Sequence, residues 1–339
     1  MSRKPRAIDL FCGAGGLTTG LVQAGFEVIG AVENDSLASR AYRLNHSGVA
    51  IWKKDIRHVT AKGMMRELGL AAGELDLLAA CPPCQGFSTM RTKNGTTWTR
   101  DSRNDLIFEV LRMVRVMRPK TVMLENVPGL AKNQRFFAFC KTLRSLGYAV
   151  KSAVLNTMNF AVPQSRRRLV LLASRVGSPQ FAEPAKERLT VRQAIGELES
   201  PTASKDPLHN YDVVRSSKVV DLIRLIPRNG GSRTALGRKS QLRCHKKIKG
   251  FWDVYGRMAW NKASPTITGG CINPSKGRFL HPQANRAITL REAALLQTFP
   301  QEYQFPLDRG RYHVALLIGN ALPPEFIRRH ALALKATLK

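Results

Sequence analysis

From Ala7 to Ala173 the chain alternates short apolar runs with helix-like stretches, and this rhythm narrows the fold more than any other feature. Ala7–Phe11, Glu27–Val32, Leu75–Ala80, Thr121–Leu124 and Leu169–Ala173 read as buried strands, and Leu17–Ala24 and Leu106–Met117 as helices. Strands separated by helical crossovers predict a sheet covered by helices on both faces. The expected fold class is therefore α/β, with a doubly wound, mostly parallel sheet. Beyond Ser174 Pro, Ser, Arg and Lys become frequent and strands are hard to place. That change predicts a second, smaller and irregular module. The expected boundaries are a first domain at 1–176, completed by the C-terminal segment 317–339, and a small domain at 177–316. The tail Glu325–Leu338 follows Pro323-Pro324 and has an amphipathic helical pattern.

The chain of 339 residues carries 54 Lys and Arg against 24 Asp and Glu, a formal net charge of +30. Such an excess calls for a polyanionic partner, most simply nucleic acid. The charge is also clustered: Arg224 to Arg257 holds ten Lys/Arg and one acid, Asp253. Arg233, Arg238, Arg243, Lys246 and Lys247 are the candidate DNA contacts there. No apolar run approaches the ~18 residues needed to span a bilayer. The basic start Met1–Arg6 leads straight into a strand, not a signal core, so a cytoplasmic location is expected. Six scattered cysteines give no disulfide framework.

The chemistry-bearing residues sit at strand ends, where α/β sheets place ligands. Asp9 to Gly16 joins the first strand to the first helix through a glycine-rich turn. Glu33 closes the second strand, placed to accept from ribose hydroxyls. This spacing suits NAD or S-adenosylmethionine equally. Asp55-Ile56 follows a third strand, where Asp55 can meet an adenine amine or simply cap a turn. Cys84, behind Pro82-Pro83, looks presented, although a lone cysteine is more often inert and buried. Glu125-Asn126-Val127 follows another apolar run. With strand alternation Gln164, Arg166 and Arg168 share one face. Each feature alone could be a cap, a packing residue or a solvated charge run. A thiol, a carboxyl, an amide and two guanidiniums at successive strand ends together point to one crevice.

With these segments in order, the chain resembles the cytosine-5 DNA methyltransferases of the compact bacterial kind. The resemblance rests on Phe11–Gly16, Glu33, Asp55-Ile56, Pro82–Ser88, Asp101–Phe108, Glu125–Val127, Gln164–Arg168, Arg286–Glu292 and Gly319–Pro324. It implies a Rossmann-like methyltransferase sheet with a target-recognition domain, and a catalytic set of Cys84, Gln85, Glu125, Asn126, Arg166 and Arg168. It implies an S-adenosylmethionine site at Phe11, Gly13, Gly15, Gly16, Glu33, Asn34, Asp55, Ile56, Pro83 and Asn320, and no metal. Cys84 would add to carbon 6 of a flipped-out cytosine, so that carbon 5 can take the methyl group. Glu125 would meet N3, Arg166 and Arg168 would hold the base oxygen and the thiol region, and Asn126 would bind the exocyclic amine or brace the loop. By its own composition Thr89–Arg100, polar, basic and carrying Gly95, is expected to be either a lid that closes on DNA or a plain exposed loop.

The resemblance further implies duplex DNA as partner and a monomer with no obligate protein partner. The enzyme would act alone or beside a restriction endonuclease. Cys81 departs from the family's usual glycine and makes a C-x-x-C with Cys84; the intervening prolines and the lack of a second such pair argue against zinc. Tyr312–Ile318 is more apolar than the family pattern. Three rivals compete. An NAD oxidoreductase conflicts with the charge and with Thr18 standing where G-x-G-x-x-G needs glycine. A non-catalytic DNA-binding protein conflicts with the intact Cys84, Glu125 and Arg168. A transfer RNA methylase keeps the chemistry but suits the large basic segment less well.

Overall fold

The computed structural model describes residues 3–83, 105–211, 213–237 and 253–338. Its centre is a seven-stranded sheet in the order β3-β2-β1-β4-β5-β7-β6. The strands are β1 (Arg6–Leu10), β2 (Glu27–Val32), β3 (Ala50–Trp52), β4 (Leu77–Ala80), β5 (Thr121–Asn126), β6 (Ala149–Asn156) and β7 (Arg167–Ser174). The first five strands in that order pair in parallel, and β7 runs antiparallel to both its neighbours. The reversal at β1, where the chain winds outward first one way and then the other, opens the crevice that such sheets use for ligands.

Every residue of β4 and β5 is buried, as expected for central strands covered on both faces. The helix Leu106–Met117 explains one cover. Ile107, Val110, Leu111, Val114 and Met117 follow helical spacing and are buried, while Arg112 and Arg115 fall between them. Burying each such side chain contributes roughly 1.5–3 kcal/mol. The helix Pro324–Lys335 closes over Gly16–Gln23. A Cβ on Gly20 would lie 2.4 Å from the Pro324 carbonyl oxygen and 2.6 Å from Ile327 Cβ, so that approach requires glycine. Strand β6 has no clear apolar run because it is the half-exposed edge of the sheet.

The chain divides into two compact units. One holds Met1–Phe160, Arg167–Pro184 and Leu322–Lys339, and the other Ala161–Arg166 and Ala185–Ala321. The second unit contains none of the seven strands. Its buried centre includes Arg257, fully buried, whose guanidinium donates to the carbonyls of Ile223, Ile226, His281 and Ala284 and to Asn285 Oδ1. Buried polar groups persist only when bonded in this way. The helix Leu290–Leu296 starts with a capping box between Thr289 and Glu292. No described helix is long and apolar enough to cross a membrane.

Candidate active site

The turn after β1 adopts the conformations its glycines permit. Gly13 and Gly15 have φ of +55° and +94°, and Phe11 has φ of +63°. A Cβ on Gly13 would meet nothing within 4 Å, so that residue is glycine for its backbone angle and leaves space beside the loop. Gly15 leads into the helix Gly16–Gln23, which has no side-chain cap and no acid in its first turn. Its leading N–H groups therefore favour an anionic or polar ligand. Glu33, at the end of β2, clasps this turn. Its Oε2 accepts from Gly13 N at 2.9 Å and its Oε1 from Asp35 N at 2.8 Å. Each oxygen keeps a second lone pair. Burial pushes the Glu33 carboxyl up, partly offset by the Asp35 and Gly13 N–H groups.

Beneath the turn, Asp9 is fully buried and accepts from Thr18 Oγ1 at 2.7 Å. Thr18 also meets the Tyr42 hydroxyl at 2.9 Å. Asp9 Oδ1 has no hydrogen-bond partner among the described residues. Burial raises this carboxyl to about 7, against the Thr18 hydrogen bond that lowers it. In the sequence Asp9 only opens the loop; its burial and the nearby Glu33 charge emerge with the fold.

Asp55 caps the turn Ile56–His58 and pairs with Arg57 at 2.7 Å, which holds its carboxyl at about 2. The turn-capping alternative is thus what the structure displays. Ile56 is 2% exposed and packs in the main core. Asn34 and Pro83 are exposed. Asn320 is exposed at the last position of the helix Arg311–Asn320, in the second unit.

The polar strand ends meet on one face of the sheet. In the parallel β4–β5 pair Ala80 stands beside Leu124, and one step further the same register sets Cys81 beside Glu125. In the antiparallel β5–β7 pair Glu125 faces Val170, with Arg168 two residues along on the same side. The contacts follow. Cys81 Sγ donates to Glu125 Oε2 at 3.1 Å, and Arg168 Nε lies 2.8 Å from Glu125 Oε1. Glu125 is 2% exposed. Asn126 Nδ2 donates to the Pro82 carbonyl at 3.0 Å, and its Oδ1 accepts from Val127 N at 2.7 Å. The end of β5 therefore grips both residues that follow β4.

Arg166 stands immediately before β7, which begins at Arg167, and has partners different from those of Arg168. Arg166 is buried in the second unit and donates to the carbonyls of Ile267 at 2.8 Å and Gly319 at 3.0 Å. Gln164 belongs there too: its Oε1 accepts from Ile267 N at 2.9 Å, and its Nε2 donates to Gln297 Oε1 at 2.7 Å. Gln297 in turn donates to the Ile318 carbonyl at 2.6 Å. A Cβ on Gly319 would sit 2.2 Å from the Thr268 carbonyl carbon, so the backbone crossing beneath Arg166 admits only glycine. Gln297 was missed in the sequence because nothing in Leu295–Thr298 marks it as paired across 133 positions with Gln164.

Cys84, Gln85, the segment Thr89–Arg100, Arg238, Arg243, Lys246 and Lys247 lie outside the described residues. Arg233 is 3% exposed, so the structure sets it inside the second unit and not on a surface facing phosphate. No cluster of three or more metal-ligating side chains occurs among the described residues.

Comparison with known proteins supplies the frame for this geometry. Residues 6–336 match the family model of the C-5 cytosine-specific DNA methylases. A Type II methylase of Herpetosiphon aurantiacus is 36% identical over 350 residues, covering 98% of this chain and 95% of that protein. A Type II methyltransferase of Xanthomonas oryzae is 31% identical, covering 96% and 83%. The fold matches the structure of the Entamoeba histolytica methyltransferase EhMeth with a TM-score of 0.68 at 15% identity, covering 100% of both chains. The match to a methyltransferase of S. pombe, Dnmt2, has a TM-score of 0.61 at 20% identity, covering 99% and 98%. The chain belongs to the C-5 cytosine-specific DNA methylase family.

Proposed function

We propose that this protein transfers a methyl group from S-adenosylmethionine to carbon 5 of a cytosine flipped out of a specific duplex DNA sequence. The observation that carries the reading is the triad at the strand ends: Glu125, 2% exposed, held by Arg168 on one oxygen and Cys81 on the other. A buried carboxyl at the open end of a parallel sheet, fixed by a cation, is costly to maintain for packing alone.

The turn after β1 suits the cofactor. The space beside Gly13, the uncapped N-terminus of Gly16–Gln23 and the Glu33 carboxylate make a cradle for a nucleoside bearing an amino acid. S-adenosylmethionine, when bound, supplies an electrophilic methyl group. In this reading Glu33 takes the ribose hydroxyls, and Phe11, Gly15, Gly16 and Asn34 line the turn.

The chain's own residues do the rest. The Cys84 thiolate adds to carbon 6 of the base and makes carbon 5 nucleophilic. Glu125 faces N3 and shares a proton with it as negative charge builds on the ring, while Arg168 fixes the carboxyl. Loss of the carbon 5 proton to solvent or a nearby base lets the thiolate leave and restores the aromatic ring. Asn126 acts as a brace, through its bond to the Pro82 carbonyl, on the segment that carries Cys84. Arg166 holds the crossing of 267 and 319 in the second unit. The relatives' Type II names support a modification role beside a restriction enzyme.

The test is methyl transfer from labelled S-adenosylmethionine to unmethylated bacteriophage DNA, with 5-methylcytosine mapped by sequencing. Cys84→Ser should abolish transfer while S-adenosylmethionine still binds. Full activity in Cys84→Ser, or methylation of adenine instead of cytosine, would overturn the reading.

A further inference from the structure

The thiol of Cys81 touches the proposed acid of the reaction through a contact that glycine or alanine at this position cannot make. Sγ lies 3.1 Å from Glu125 Oε2, and the other oxygen, Oε1, is taken by Arg168 at 2.8 Å. The arrangement is not an accident of rotamers. Cys81 continues the β4–β5 register by one residue, and Asn126 anchors the next carbonyl, that of Pro82, at 3.0 Å. The backbone on both sides of Cys81 is thereby tied to the strand that bears Glu125.

We infer that Cys81 is a positioning residue for methyl transfer: its thiol holds Glu125 Oε2 in place whether the carboxyl is ionised or protonated. The inference rests on the reading that Glu125 meets the base. A thiol suits this role because it is both a weak donor and a weak acceptor. It donates S–H to the carboxylate and accepts O–H from the acid, so Glu125 keeps a partner on both sides of a proton transfer. A hydroxyl or amide donor would grip the charged form more tightly and make proton uptake harder. Burial and the neighbouring Glu125 charge push the Cys81 thiol well up, so it remains S–H and does not compete with Cys84 as a nucleophile.

The experiment compares Cys81→Ala, Cys81→Ser and Glu125→Gln in the full chain. Single-turnover methyl transfer to unmethylated bacteriophage DNA is followed across pH, beside the S-adenosylmethionine dissociation constant and the DNA KM. Cys81→Ala should slow transfer about tenfold, the scale of one weak hydrogen bond, with both binding constants unchanged within about twofold. Its alkaline limb should move to higher pH, because the ionised carboxyl has lost a donor. Cys81→Ser should recover most of the rate and move the limb to lower pH, because a hydroxyl donates more strongly. Opposite displacements of the limb are not produced by a packing defect, and Cys81→Ser keeps the test open if Cys81→Ala folds poorly. Limbs and rates equal to wild type in both Cys81 variants, with Glu125→Gln inactive, would overturn the inference alone. A Glu125→Gln enzyme with the wild-type rate and profile would instead overturn the reading of Glu125, and the inference with it.

Discussion

Replacing Arg168 by methionine keeps an unbranched stem on β7 but removes the cation that lies 2.8 Å from Glu125 Oε1. The two side chains are 15% and 3% exposed, so the pair is not screened as a surface pair would be. Two unit charges at that separation attract by about 6 kcal/mol at an effective dielectric constant of 20, before the desolvation of both groups is subtracted. Removing one partner of a buried pair costs about 3–5 kcal/mol, because the other charge is left behind. Arg168 retains some solvent contact and Cys81 still donates to Oε2, so Arg168→Met should lose roughly 2–4 kcal/mol. The double variant Arg168→Met/Glu125→Gln carries no orphaned carboxylate. It should be more stable than the sum of the single losses by at least about 1.5 kcal/mol. Urea denaturation near neutral pH, read as midpoint shifts at constant m, measures all four proteins. Single losses that simply add, or an Arg168→Met variant within about 0.5 kcal/mol of wild type, would refute the argument that the β5–β7 face holds Glu125 electrostatically.

Glu33→Ala should weaken S-adenosylmethionine binding by roughly 1.5–3 kcal/mol in calorimetry, the scale of hydrogen bonds to a charged group, and leave cofactor-free DNA affinity unchanged. The Asp9 carboxyl is raised to about 7 in the folded state, so its protonation stabilises the fold below about pH 4 and that stability is lost as pH rises to about 7. Asp9→Asn should flatten this dependence, gaining up to about 4 kcal/mol relative to wild type between those limits in denaturation at several pH values. Lys247→Ala should weaken binding to cognate and random duplex alike and lower the salt slope by about one unit, whereas an unchanged slope would place the phosphate contacts elsewhere.

What the sequence made legible was whatever depended on neighbours along the chain. Buried strands announce themselves because both faces are apolar, and β1, β2, β4, β5 and β7 were each found within a few residues. The glycine turn is equally local: strand, glycines, helix and the acid at Glu33 lie within one βαβ unit. β6 escaped because an edge strand with one wet side carries no continuous apolar run. The charge of Arg233 marks it as a candidate DNA contact, and its burial at 3% exposure cannot be read from the basic run around it; Arg257, likewise buried, is bonded to carbonyls 24 to 34 positions away.

The candidate site divides along the same line. Glu125, Asn126 and Arg168 could be nominated one by one at strand ends, but their pairing could not. Cys81 reaches Glu125 only because β4 and β5 run parallel in one register, and Arg168 reaches it only because β7 comes back antiparallel. A slip of one residue in either ladder would turn these side chains to the opposite face. Arg166 depends on still longer range: its guanidinium donates to the carbonyls of Ile267 and Gly319, 101 and 153 positions along the chain. Register is set by the whole sheet and by what its faces must bury. The local pattern can therefore nominate a carboxylate for chemistry, while the identity of the groups that hold its two oxygens is decided by strands 44 and 43 residues away on either side.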